Sequence, residues 1–148
     1  MKKIFFLITI LITAAFFSHS AKAQTEAQRI ELCTKVAGEA TLEKSYAVRL
    51  DAADDGQRAP NFKQPIAMRK GNRFRFTICT DEESSGEAIL ELWDEAKKVA
   101  STYISETGKT FQNFDFECNK TAVYVIMISF KDGKAGSAVG VVSHVKTL

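Results

Sequence analysis

Histidine is nearly absent from the 148-residue chain, which has only His19 and His144. A metal site built on several imidazoles is therefore excluded. Acid–base chemistry resting on a histidine would have to use His144, because His19 lies in an apolar leader. Ser143 and His144 are neighbours, and neighbours in a strand point to opposite faces, so they make no nucleophile–base pair. No CxxC pair, glycine-rich phosphate loop or nucleophile elbow occurs. Proline is scarce too, with Pro60 and Pro65 only, and Trp93 is the single tryptophan. No charge of one sign dominates. Setting aside Lys2, Lys3 and Lys22 of the leader takes the basic side chains from 20 to 17, against 18 acidic ones. Nucleic-acid binding through bulk positive charge loses its basis. The acids are numerous, but no pair stands out by spacing as a glycosidase dyad.

The one long apolar run is at the start. Met1-Lys2-Lys3 is a short positive region, Ile4 to Ser18 is apolar over 15 residues, and Ala21-Lys22-Ala23 is a small-x-small site. This is the pattern of a secretory signal peptide (residues 1–23) cut after Ala23. The run is short for a membrane span of about 20 residues. The expected product begins at Gln24 and is periplasmic or secreted, with no integral membrane association.

Thr25 and Gln28 have the spacing of a capping box, Ile30, Cys33 and Ala37 share a helical stripe, and Gly38 stops it. A short helix is predicted over about 25–37, within an N-terminal segment taken as 24–44. From residue 45 to 148 the period changes to two. Tyr46, Val48 and Leu50 alternate, as do Phe74, Phe76 and Ile78, then Ala88, Leu90 and Leu92, then Phe114, Phe116 and Cys118. Polar turns such as Asp51 to Pro60 and Asp81 to Gly86 separate them. About eight short strands at this spacing predict an all-β, jelly-roll-like antiparallel sandwich.

Residues 60–146 carry Lys70-Gly71-Asn72-Arg73-Phe74, Leu90-Glu91-Leu92-Trp93-Asp94, Val99-Ala100-Ser101, Phe114-Asp115-Phe116 and Ala122-Val123-Tyr124-Val125 in order. In this the chain resembles the bacterial pre-peptidase C-terminal domain, a jelly-roll-like sandwich. That resemblance implies an accessory or binding module of the kind attached to secreted hydrolases.

Cys33, Cys79 and Cys118 all follow the leader. An oxidising compartment favours one disulfide and one leftover thiol. Cys118 shares a face with Phe114 and Phe116, so it is expected to be a buried thiol. Cys79 faces away from Phe74 and Phe76, where the helix could bring Cys33 to it. Cys33–Cys79 is the favoured pair, and an unbridged chain is the alternative. Asp51, Asp54 and Asp55 crowd oxygen atoms into one loop, a weak Ca²⁺ candidate without EF-hand spacing that reads better as a solvated turn. Asp81, Glu82, Glu83 and Glu87 read the same way. No cofactor is expected.

Trp93 shares its face with Ile89 and Glu91, away from the Leu90/Leu92 face. Two readings stand. In the first, the N-terminal helix covers the ring, against Ile30 and Ala37. In the second, Trp93 is an exposed stacking platform, with Glu91 beside it and Arg73 and Arg75 pointing outward on the same sheet. The function expected is that of a non-enzymatic binding module for a protein or a carbohydrate. The alternative is a structural accessory subunit of a larger envelope or secreted-hydrolase assembly.

Overall fold

A computed structural model describes residues 24–148. The expected signal peptide (residues 1–23) and its expected cleavage point lie outside the described residues. The chain opens with helix α1 (Glu26–Ala37). Thr25 caps it: its side chain accepts from the Gln28 N–H while the Gln28 side chain accepts from the Thr25 N–H. Gly38, at φ 81°, ends it.

Ten strands follow: β1 (Thr41–Leu50), β2 (Phe62–Met68), β3 (Asn72–Thr80), β4 (Ala88–Asp94), β5 (Lys97–Ser101), β6 (Tyr103–Ile104), β7 (Lys109–Thr110), β8 (Asn113–Glu117), β9 (Ala122–Phe130) and β10 (Gly136–Thr147). Eight of them build the two sheets β1-β10-β3-β8 and β2-β9-β4-β5, and β6 and β7 form a separate hairpin. Early strands pair with late ones: β1 with β10, β2 with β9 and β3 with β8, all antiparallel. This is a long hairpin rolled over on itself, the jelly-roll order of an all-β sandwich.

The inner faces follow the two-residue alternation. Phe76, Leu90, Leu92, Tyr124, Ile126, Ile128 and Val142 are all almost fully buried between the sheets. At Gly140 the layers leave no room for a side chain; a Cβ there would stand 2.9 Å from Ile128 Cδ1. Cys118 is a free thiol in this core. Beside it, burial pushes the Tyr124 hydroxyl up to about 12.

Two expectations change. The strand taken to start at residue 45 begins at Thr41. Thr41–Lys44 is exposed throughout, so it carries no alternation for the sequence to reveal. The helix also covers a different sheet from the one carrying Trp93. Cys33 and Ala37 pack on Val139 and Val141, with Ile30 and Cys79 at the margin. All the sheet partners there belong to the β1-β10-β3-β8 layer.

Candidate functional site

The two outer faces of the sandwich differ, and that difference locates the site. On the first sheet, the outward side chains of β3 and β10 are roofed by α1. Cys33 and Cys79 are joined by a disulfide, with Cα atoms 5.8 Å apart. Arg75 ties down the helix end: its guanidinium donates to the Ala37 carbonyl at 3.1 Å and, bidentately, to Asp115 at 2.7 and 3.0 Å. The Arg75 hydrogen bonds hold the Asp115 carboxyl below the usual carboxylate range. Arg29 pairs with Asp81 at the other end of the helix, and Arg73 pairs with Glu117.

This corrects the grouping of Arg73 and Arg75 with Trp93. Both arginines lie on β3 of the first sheet, whereas Trp93 and Glu91 lie on β4 of the second. Alternation tells which residues point outward, but not which of the two layers they leave from. The arginines are consumed in holding the helix and the β8 edge.

The second sheet has no helix on it among the described residues. Its outer face is built by register. Pro65, Val125, Trp93 and Lys98 run side by side across β2, β9, β4 and β5. The next row holds Lys63, Met127, Glu91 and Ser101. Ala67 and Val123 pair on the other side of the tryptophan row, and Val123 is 60% exposed. Trp93, Val125 and Met127 are half-buried. The result is an apolar strip on an otherwise solvated face, the kind of patch that marks an interaction surface.

A depression of about 560 Å³ opens over this strip, lined by Arg58, Asn61, Lys63, Trp93, Glu95, Ala96, Val125 and Met127. The Trp93 Nε1–H donates to Glu91 at 3.0 Å, and Lys98 donates to the other Glu91 oxygen, also at 3.0 Å. The indole is thus fixed in orientation by a neutral pair. Lys98 also stands 6.0 Å from the ring centroid. Arg58 and Lys63 are exposed and have no carboxylate within 4.0 Å among the described residues. The depression therefore has an apolar floor and a rim that carries Arg58 and Lys63, neither in an ion pair among the described residues, and the Glu95 carboxylate.

Sequence reasoning missed Arg58, Lys63, Val125 and Met127. A signal existed: β9 is apolar on both faces, although its outer face has no covering layer.

The other singled-out residues stay apart from this surface. Asp51, Asp54 and Asp55 lie in the β1–β2 loop, where the Asp54 carbonyl accepts from the Gln57 N–H. Among the described residues no three histidine, cysteine, aspartate or glutamate side chains converge as metal ligands. His144 sits on β10 with Nε2 3.1 Å from Asn72 Oδ1 and its ring edge-on to Phe74.

No family model and no curated protein matches the chain. Among solved structures, the fold is similar to that of Aeromonas hydrophila PliG, a periplasmic lysozyme inhibitor of g-type lysozyme. The TM-score is 0.50 at 9% identity, over 71% of this chain and 88% of that one. At that identity the likeness is one of architecture. No described helix is long and apolar enough to cross a membrane.

Proposed function

We propose that the chain is a secreted or periplasmic binding module, without catalysis of its own, that holds another protein on the outer face of its second sheet. The observation that carries this reading is the uncovered row Pro65, Val125 and Trp93, on a sandwich whose other face is roofed by its own helix. A protein fits better than a sugar. A sugar ring needs free hydrogen-bonding groups around the stacking aromatic. Here the Trp93 N–H and the Glu91 carboxylate are already engaged, the side chains beside the ring are Val125 and Met127, and the polar groups Arg58, Asn61, Lys63 and Glu95 stand at the rim. A half-buried aromatic flanked by aliphatic side chains and charged at its rim has the make-up of a protein interface core. Arg58 and Lys63 favour a partner that brings a carboxylate.

Capture from the native envelope tests this, with wild type, Trp93→Ala and Val123→Glu compared side by side. One dominant protein, lost with both variants, is the expected result. Equal capture by all three would overturn it. Glycan binding that requires Trp93 would hand the face to a carbohydrate instead.

The shared architecture suggests a first partner to try. PliG is an inhibitor of g-type lysozyme, and a lysozyme of that type slowed by this chain but not by Val123→Glu would name the partner. The accessory role implied by the pre-peptidase resemblance is the alternative; there, the captured protein would be a secreted hydrolase.

A further inference from the structure

Each sheet of an open sandwich has two edge strands, which folded proteins blunt against unwanted pairing. Three of the four edges here are blunted. β2 carries Pro65 in its middle. β5 is five residues long and its pairing is broken by a register shift. β8 is also five residues long. β1 is different. It runs for ten residues without a proline, and after a bulge at Glu43 it is regular from Lys44 to Leu50. It pairs with β10 alone, and no loop backbone bonds to it among the described residues. One side of its ladder is therefore open.

Of the three exposed charges on that edge, Glu43, Lys44 and Arg49, the first and last can pair across a two-fold axis. Glu43 and Arg49 are both exposed, and neither has an ion-pair partner within 4.0 Å among the described residues. They lie at opposite ends of the strand, either side of Tyr46. A second β1 laid antiparallel about a two-fold axis at Tyr46 sets Arg49 of each copy opposite Glu43 of the other, and an axis at Ala47 sets the two diagonal. Both positions are within reach across a ladder. Either axis keeps Tyr46, Val48 and Leu50 on the core side in both copies, because residues of like parity then face one another.

We propose that β1 is a homodimerisation edge, closed by a second copy of this chain through an added antiparallel ladder and two Arg49–Glu43 pairs. The pairing joins the two first sheets into one eight-stranded layer. Its axis runs perpendicular to the sheets, so both Trp93 faces look the same way. The dimer would then offer two docking faces side by side, and a repetitive or dimeric partner would gain avidity. The edge itself stands independently of how the Trp93 face is used.

Sedimentation velocity on the exported protein, across a wide concentration range, tests the proposal. Wild type is expected to dimerise. Arg49→Glu and Glu43→Arg should each weaken self-association by about tenfold or more, since each breaks both pairs and opposes like charges. The double exchange should restore it, and Trp93→Ala should leave it unchanged. A wild-type monomer at every concentration overturns the proposal. So does a dimer indifferent to both charge reversals, or one dissolved by Trp93→Ala. Circular dichroism of each variant checks that the fold is kept.

Discussion

Removing the Cys33–Cys79 bridge, by changing both residues to alanine, perturbs the contact between helix and sandwich most cleanly. The bridge spans 46 residues of sequence. Closing a loop of that size lowers the entropy of the unfolded chain enough to stabilise the fold by about 4 kcal/mol. The 125 described residues carry an unfolding entropy of about 0.26 kcal/mol per kelvin at the transition. Division gives a loss of about 15 °C in melting temperature. The helix itself has 12 residues, too few to persist unaided. Its remaining holds are the Ile30 and Ala37 contacts with Val139 and Val141, the Arg75 bond to Ala37 and the Arg29–Asp81 pair. Scanning calorimetry of wild type, the double-alanine variant and reduced wild type reads the effect. Reduced wild type should fall with the variant. A loss under about 5 °C would refute the entropic reasoning, because packing alone would then be holding the helix.

Three further outcomes are expected. Asp115→Asn should cost about 1 kcal/mol at neutral pH, because Arg75 then loses its charged partner on a partly exposed site. The Asp115 carboxyl titrates below its unfolded value, so this contribution is complete above about pH 4 and fades on further acidification; denaturant melts should converge there. Leu92→Ala should cost about 2–5 kcal/mol, since Leu92 is fully buried between the sheets and leaves a cavity; urea unfolding measures it, and a loss under about 1 kcal/mol would contradict the packing. Cys118 should resist alkylation in the native protein and give one labelled thiol per chain once unfolded; mass spectrometry distinguishes this from early labelling, which would mean the core opens there.

The layered fold was legible because most strands have one greasy face, as in Phe74-Phe76-Ile78 and Leu90-Leu92. The helix was legible from Thr25, Gln28 and Gly38, which act locally. Thr41–Lys44 was hidden because an exposed strand end needs no apolar alternation. The β6–β7 hairpin was hidden for a similar reason: two-residue strands carry no period. The site was legible only in part. Trp93 and Glu91 stood out on one face, and they do share a hydrogen bond. Arg73 and Arg75 were assigned to the wrong layer because the order of strands in space is set by long-range pairing, which alternation does not encode. Arg58 reaches the Trp93 depression from a loop, where no periodicity applies at all.

On the proposed function, Trp93 lies on an open face that closes only against a partner. Trp93 is the only tryptophan, so a red-absorbing tryptophan analogue incorporated into this chain alone reports on that face even beside a partner's own tryptophans. Acrylamide quenching should be strong in the free protein and fall sharply when the captured partner is added. A tryptophan already shielded in the free protein, or one equally quenched with the partner bound, would contradict the claim.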